Sequence, residues 1–297
     1  MRIPGGYLGR VHVVAVINQK GGVGKTTTCA NLGAAVAARG HRVLILDLDP
    51  QAHLSISFDQ VPQPGEPSVY TLLSGEQTLA GILRPTRTPG LLLAPTNLDL
   101  SGAETEFAGE IGREMLLRRA FDQFRLRDEA LPELVLLDCP PSLGLMSLNA
   151  LVCAWKVLIP VQAEFFALQG LAQLLDVIGR VRQRLNPELD LLGLVVGMFN
   201  NSRNLSREVL QELEEHFGEK VFRTRVRVNV RLAEAPSHGA TIFEYAPSSG
   251  AAADFQDLAD EFARRLAMRP DGADRGRRPP QALAAGSCKP LEEREAG

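Results

Sequence analysis

The 297-residue sequence has few cysteines, few aromatic residues and little net charge, and each shortage excludes a class of protein. Its four cysteines are widely spaced without a CxxC pair, which argues against a zinc knuckle or a secreted disulfide scaffold and favours a reducing, cytoplasmic compartment. Aromatic residues make up 5%, so a protein that stacks exposed bases on aromatic rings is not expected. The net charge of -3 gives no overall attraction to nucleic acid, so binding of that kind needs a local basic face.

Long apolar runs are also missing. No run reaches the roughly 18 residues that a membrane helix needs, and residues 1–10 lack the apolar core of a signal peptide. We therefore expect no membrane segment, and we interpret residues 1–10 as a flexible N-terminal arm. Residues 269–297 mix Arg, Pro, Gly, Ala and Glu without periodicity, which predicts a disordered C-terminal tail.

Between residues 11 and 268, short apolar runs rich in β-branched residues alternate with longer helical stretches. The predicted strands are residues 11–17, 42–48, 134–137, 156–161 and 191–198, and the first helix is predicted at 26–39. This alternation predicts one α/β domain with a doubly wound, mostly parallel sheet flanked by helices. Residues 60–95 are rich in Pro and Gly and are predicted as loops with one short helix at 69–73. A last helix is expected from about residue 256 to 268.

A glycine-rich segment lies where the first predicted strand meets the first predicted helix. It reads Lys20-Gly21-Gly22-Val23-Gly24-Lys25-Thr26-Thr27, and strand, loop and helix in this order are the context that a phosphate-binding P-loop requires. Glycines allow backbone N–H groups to turn toward phosphate oxygens, and the helix N-terminus adds partial positive charge. We therefore expect residues 20–27 to bind ATP, with Lys25 at the β- and γ-phosphates and the Thr26 hydroxyl as a ligand of Mg²⁺.

The loop departs from the usual P-loop because Gln19 stands at the first glycine position and Lys20 follows it. With its second lysine, the motif resembles the deviant Walker A loop of the ParA, MinD and nitrogenase iron protein group. In that group the first lysine reaches the nucleotide of the other subunit, so the resemblance implies a homodimer that forms with ATP. A cation from each side would offset the repulsion between two facing triphosphates. The alternative is that Lys20 is a solvated loop lysine.

Three carboxylates follow predicted strands, at the sheet edge where doubly wound folds bind their ligands. Asp47 and Asp49 belong to the run Asp47-Leu48-Asp49-Pro50-Gln51, and Asp138 follows the strand at residues 134–137. By similarity to the Asp-x-Asp-Pro-Gln motif of the group, Asp49 would hold or activate the attacking water, and Asp138 would bind Mg²⁺ through water. Asp47 either supports the metal shell or caps the following turn.

Further motifs over residues 11–268 resemble the ParA/Soj chromosome-partition branch most closely. They are Pro160-Val161-Gln162-Ala163-Glu164, Phe217-Gly218-Glu219-Lys220-Val221-Phe222 and Asn229-Val230-Arg231-Leu232-Ala233-Glu234-Ala235-Pro236-Ser237. The resemblance implies a slow ATPase whose ATP dimer binds nonspecific double-stranded DNA at the nucleoid. It also implies stimulation by a ParB-like activator in chromosome or plasmid segregation, with Asn229 as a nucleotide contact.

Some positions depart from the pattern of the branch. Ala52 stands where Gly often follows Asp-Pro-Gln, Arg227 replaces a proline near adenine, and two arginines linked to DNA become Ser202 and Val228. Neighbouring arginines are nevertheless abundant, and our hypothesis for a DNA-binding face names Arg203, Arg207, Arg223, Arg225, Arg227 and Arg231.

Other functions use the same nucleotide motifs. A ParA-like positioner of a protein cargo would share all of them, and the sequence does not separate it from a DNA-partition protein. A membrane switch of the MinD type would end in a basic amphipathic helix, whereas residues 271–297 are broken by Pro and Gly. A metabolic ATPase would need an acceptor pocket, and a nitrogenase-type reductase would need cysteines that bridge an iron–sulfur cluster.

Overall fold

The structure is a computed structural model that describes residues 11–126, 131–164 and 167–268. The predictions for the N-terminal arm and the C-terminal tail lie outside these residues. The strands are β1 His12–Val16, β2 Val43–Asp47, β3 Arg84–Pro85, β4 Leu91–Ala94, β5 Leu134–Asp138, β6 Lys156–Gln162, β7 Asp190–Phe199 and β8 Val221–Arg227. The α-helices are α1 Lys25–Ala37, α2 His53–Ile56, α3 Val69–Leu73, α4 Leu79–Ile82, α5 Ala103–Glu106, α6 Leu116–Leu126, α7 Leu145–Cys153, α8 Ala167–Arg184, α9 Asn204–Phe217, α10 Val230–Glu234, α11 Ile242–Tyr245 and α12 Gly250–Arg265.

The eight strands form one sheet in the order β3-β4-β2-β5-β1-β6-β7-β8. All neighbouring pairs are parallel except β3 with β4. β1 lies between β5 and β6, so the loop that follows it emerges near the middle of the carboxyl edge. The register pairs Asp47 with Asp138 and Val16 with Asp138, which brings three strand ends together. The structure confirms the predicted α/β fold with a mostly parallel sheet.

Apolar cores cover both faces of the sheet. On one face the core includes Leu32 and Val36 of α1 and Phe255 and Phe262 of α12. The other face carries a core that includes residues of α6, α7 and α8. Every residue of β2 and β5 is buried, which explains why these strands are continuous apolar runs without alternation. Within the described residues, no helix has both the length and the apolar character needed to cross a membrane.

The prediction for residues 60–95 was wrong in part. The short helix at 69–73 is present as α3, where Ser68 and Thr71 form a capping box. The same segment, however, also contains α4, β3 and β4, and β4 pairs with β2 inside the sheet. The four residues of β4, three of them buried, are too few to show a periodic pattern, so the surrounding turn-forming residues decided the prediction.

Two further differences lie near the C-terminal end of the described chain. Strand β8 was not predicted, because its three arginines alternate with Thr224 and Val226 and were interpreted only as a charge cluster. Helix α12 begins at Gly250 and not near residue 256, since the Ser249 side chain accepts a hydrogen bond from the Ala252 N–H and caps the helix there.

Helix α12 packs along β8, the outer strand of the sheet. Glu261 accepts hydrogen bonds from the Arg223 and Thr224 N–H groups, both at 2.9 Å, and Asp254 accepts one from the Arg227 N–H at 2.9 Å. These carboxylates therefore accept hydrogen bonds from backbone N–H groups of the edge strand. Without them, the same N–H groups could pair with a strand of another molecule.

Candidate functional site

The predicted phosphate loop lies between β1 and α1. Gly22 and Gly24 adopt left-handed backbone conformations, with φ of 75° and 90°, which favour glycine. A Cβ atom added at Gly21, Gly22 or Gly24 would meet no atom within 4 Å outside its own chain neighbours, so the space in front of the loop is open. The loop is therefore a cradle with room for a phosphate at the N-terminus of α1.

Lys25 is directed into this site. Its side chain is buried, and its Nζ donates to the Lys20 carbonyl oxygen at 3.1 Å. Burial lowers the pKa of Lys25, and the negative charge of Asp138 opposes that shift. The entrance of the loop is fixed by Asn18, whose Nδ2 donates to the Pro160 carbonyl oxygen at 2.7 Å and whose Oδ1 accepts from the Lys20 N–H at 3.0 Å. The lysine charge is thus held where a phosphate would bind.

Asp138 lies at the bottom of the site and is 1% exposed. Neither of its carboxylate oxygens has a hydrogen-bond partner in the described part of the chain. Burial and the nearby charge of Asp47 raise the pKa of Asp138, while the neighbouring Thr26 hydroxyl and the Lys25 ammonium oppose this. A buried carboxylate without a donor, next to a hydroxyl, fits a divalent cation with oxygen ligands.

Asp47 lies beside Asp138, and both of its oxygens are engaged within the protein. One oxygen accepts from the Asp49 N–H at 3.2 Å, and the other accepts from the Ser55 N–H and hydroxyl at 2.8 and 2.7 Å. Burial raises the pKa of Asp47 to about 6, against the effect of these hydrogen bonds. This geometry is the turn-capping arrangement that the sequence left open as one of two roles for Asp47. The metal role of Asp47 stays a prediction.

Asp49 is 9% exposed at the same sheet edge. One of its carboxylate oxygens accepts from the Gln51 N–H at 3.0 Å. Ala52, three residues later, adopts a left-handed conformation with φ of 55° at the start of α2. The substitution of alanine for the glycine of the related motif therefore falls at a position where the backbone favours glycine.

Lys20 and Lys25 differ in accessibility. The Lys20 side chain is 46% exposed, and its ammonium group forms an ion pair with the carboxylate of Glu164, just beyond β6. Glu164 belongs to the motif Pro160-Val161-Gln162-Ala163-Glu164, but no role was predicted for it. The negative charge of Glu164 could have indicated a partner for Lys20, because the motif ends in a carboxylate just after β6, the strand that pairs with β1.

The other predicted contacts lie farther along the chain. The Asn229 side chain accepts from the Arg231 N–H at 3.0 Å and caps α10, and its nucleotide contact stays a prediction. Arg227 donates to Asp254, with the shortest distance 2.6 Å, and Arg225 is paired with Glu214. These two guanidinium groups are therefore neutralised within the molecule. The side chains of the other four predicted arginines belong to exposed residues: Arg203, Arg207, Arg223 and Arg231.

Comparisons with known proteins show which family the chain resembles. A family model described as an AAA domain matches residues 11–191. The chromosome-partitioning ATPase Soj of Thermus thermophilus is 47% identical over 257 residues, which cover 86% of this chain and 97% of that protein. The sporulation initiation inhibitor protein Soj of Bacillus subtilis is 41% identical over 251 residues, covering 84% of this chain and 98% of that protein.

A solved structure extends the comparison to three dimensions. Cobyrinic acid a,c-diamide synthase from Mycobacterium smegmatis, with bound ADP and magnesium, is 34% identical with a TM-score of 0.75, and the match covers 88% of this chain and 98% of that chain. The fold and the two-lysine loop define a P-loop ATPase with a deviant Walker A motif. The relatives make the assignment more specific: the chain belongs to the ParA/Soj family of chromosome-partitioning ATPases.

Proposed function

We propose that this ATPase is a switch that dimerises when it binds ATP and Mg²⁺. The proposal rests on one observation, the different burial of the two lysines in the phosphate loop. Lys25 is buried and directed toward the phosphate cradle, whereas Lys20 is half-exposed at its rim. In this proposal Lys20 would contact the nucleotide of a second subunit. Placing a cation from each subunit between two triphosphates would make the dimer depend on ATP.

The residues around the cradle have separate tasks in this proposal. Thr26 and Asp138 would hold Mg²⁺, which when bound would neutralise phosphate charge. Lys25 would bind the β- and γ-phosphates, and Asp49 would orient the attacking water at the rim. Asp47, with both oxygens engaged by Ser55 and Asp49, would keep the 49–55 turn in place beside the metal shell. Turnover would be slow, because a switch must stay in its dimeric state long enough to act.

The ATP dimer would bind double-stranded DNA without sequence preference. Four exposed arginines support this proposal: Arg203, Arg207, Arg223 and Arg231. Arg231 lies 4.0 Å from a Glu234 carboxylate oxygen, so its charge is partly balanced within the chain. Arg225 and Arg227 would contribute less than the sequence suggested, since Glu214 and Asp254 already neutralise them. A dimer presents two such faces at once, which multiplies a weak phosphate-based affinity. The protein would then act in the cytoplasm, at the nucleoid, with a ParB-like activator that stimulates hydrolysis during chromosome or plasmid segregation.

The test is a fluorescence anisotropy titration on unrelated duplexes with a slowly hydrolysed ATP analogue, with ADP and without nucleotide. We expect binding with the ATP analogue alone, falling steeply as salt rises. The double variant Arg203→Glu, Arg223→Glu should weaken binding to all duplexes alike. Arg87→Glu is the matched control, because Arg87 is exposed between β3 and β4 at the opposite sheet edge.

Binding that is equally strong with ADP, or that the Arg87 control weakens as much as the double variant does, would contradict the DNA proposal. Sedimentation of the same samples separates the two parts of the function. An ATP-dependent dimer that does not bind DNA would favour a switch that positions a protein cargo.

A further inference from the structure

Helix α7 begins shortly after Asp138, and its first N–H is capped by another part of the chain. The helix has no side-chain cap of its own, because its N-cap residue is Gly144. Instead the Leu145 N–H donates to Glu104 Oε1 at 2.7 Å, from helix α5. A carboxylate in this position satisfies a free N–H group and meets the positive end of the helix dipole.

Gly144 provides the room for that carboxylate. Its backbone, at φ −77° and ψ −161°, does not require glycine, because the left-handed region is not used. A Cβ atom at this position would overlap Glu104 Oε1 and lie 2.9 Å from Glu104 Cδ. A single methyl group at residue 144 would therefore displace the carboxylate without changing Glu104 itself.

The turn that joins Asp138 to α7 is held at both ends. At its start the Cys139 N–H donates to the carbonyl oxygen of Val16 in β1 at 3.2 Å. At its end the Ser147 hydroxyl, two residues beyond the Leu145 N–H that Glu104 caps, donates to the Ser142 carbonyl oxygen at 2.5 Å. Residues 139–144 therefore form a short, tethered connection between the metal-binding carboxylate proposed above and the first turn of α7.

A second link holds α7 to a different segment, residues 113–117. Asn149 of α7 is fully buried, and its Nδ2 donates to the Arg113 carbonyl oxygen at 2.9 Å while its Oδ1 accepts from the Leu117 N–H at 3.0 Å. Asn149 keeps the 113–117 segment packed on α7 independently of Glu104. Glu104 itself is an exposed residue, so changing it should alter the start of α7 without unfolding the domain.

We propose that Glu104 is a positioning residue for ATP hydrolysis. By holding the Leu145 N–H it fixes the first turn of α7, and through residues 139–144 it fixes the backbone next to Asp138. Glu104 acts through these residues, and it binds neither the phosphates nor the metal. The inference deepens the ATPase assignment and rests on the proposed role of Asp138.

The test compares steady-state ATP hydrolysis by Glu104→Ala, Gly144→Ala and the double variant, at a temperature where circular dichroism shows all of them folded. We expect each single variant to lower kcat about fivefold, the scale of one lost helix cap. The KM for ATP should change less than about twofold, because the phosphate loop is intact. The double variant should be no slower than either single one, since both remove the same contact.

Two further variants sharpen the result. Glu104→Gln keeps an oxygen acceptor for the Leu145 N–H and should retain most of the kcat. Glu110→Ala removes an exposed acidic residue from the same region and should match the parent. The proposal is overturned if Glu104→Ala has the kcat of the parent or if the variant changes only KM. It is also overturned if the double variant loses kcat by the product of the two single losses. Sedimentation of the parent with an ATP analogue tests the dimer separately, so a missing dimer with an intact Glu104 effect would count only against the proposed switch.

Discussion

The Lys20 ammonium group is paired with the Glu164 carboxylate of the same chain, across the gap between the phosphate loop and the end of β6. A lysine that serves the nucleotide of another subunit must leave this carboxylate first. Both side chains are about half exposed, so the pair is weak enough to exchange one partner for another. In the proposed switch, the monomer would therefore keep Lys20 near the dimer interface while Glu164 neutralises its charge.

We expect Glu164→Gln to strengthen ATP-dependent dimerisation by up to about fivefold, because Lys20 then has no competing carboxylate to leave. Lys20→Ala should keep monomer affinity for ATP and lose the dimer. Sedimentation velocity with a slowly hydrolysed ATP analogue measures both effects. The matched control is Glu188→Gln, an exposed glutamate before β7 at the other end of the sheet. A Lys20→Ala protein that dimerises normally would leave Lys20 as a solvated loop residue.

Lys25→Ala should weaken ATP binding by about two orders of magnitude, since the phosphates lose a charged hydrogen-bond donor in a largely buried site. Isothermal titration calorimetry gives the dissociation constant directly. Undiminished affinity would show that the lysine is not at the phosphates. Lys156→Ala serves as the control, because its ammonium group bonds to Asp190 at the opposite ends of the strands.

Asp49→Ala should bind ATP and dimerise but hydrolyse at least about 100-fold more slowly, because the loss falls on the orientation of water and not on phosphate affinity. Dimers should then accumulate with ATP itself, as seen by sedimentation. Asp49→Asn, which keeps the shape and the acceptor for the Gln51 N–H, separates the loss of charge from a rearranged turn. Parental turnover in both variants would remove Asp49 from the reaction.

Ala52→Gly should raise the free energy of unfolding by about 0.5–1 kcal/mol. The left-handed backbone at φ 55° strains a residue with a Cβ, and this outweighs the extra entropy of glycine in the unfolded chain. Urea denaturation measures the change. Ala253→Gly, in an exposed position of α12, should do the opposite and cost about 1 kcal/mol. If both substitutions destabilise the protein equally, the turn at Ala52 is not strained.

Glu261→Gln should destabilise the protein by about 2 kcal/mol at neutral pH, since a buried carboxylate that bonds two backbone N–H groups loses its charge. Burial alone would raise the pKa of Glu261, but the hydrogen bonds from Arg223, Thr224 and Arg265 outweigh it and lower the pKa.

A lowered pKa means that this stabilisation is fully present above the ordinary value for glutamate, near pH 4.5, and is lost as pH falls through the folded-state pKa. The difference between parent and variant should therefore shrink below that pH in urea unfolding. Asp260→Asn, which alters a more exposed ion pair on the same helix, should cost less than about 1 kcal/mol. A difference that stays constant down to pH 3 would contradict the assignment.

The phosphate loop and the convergence of Asp47, Asp49 and Asp138 could be predicted because each follows a buried strand and parallel strands end at one edge. Strand β4 could not be predicted with equal ease, since a strand of only four mostly buried residues is too short to show a periodic pattern. Contacts such as Lys20 with Glu164 or Glu104 with Leu145 join residues far apart in sequence, and only the folded arrangement brings them together.

The way the sheet ends at its two edges limits how copies of this protein can associate. One edge is β3, a two-residue antiparallel strand that includes Pro85. The other is β8, where the N–H groups of Arg223, Thr224 and Arg227 already bond to carboxylates of α12. Neither edge offers a row of free N–H groups to a neighbouring strand, so strand addition into a filament is disfavoured. Contact between copies would then be left to surfaces such as the nucleotide face, and in the proposed switch it would begin and end with each molecule of ATP.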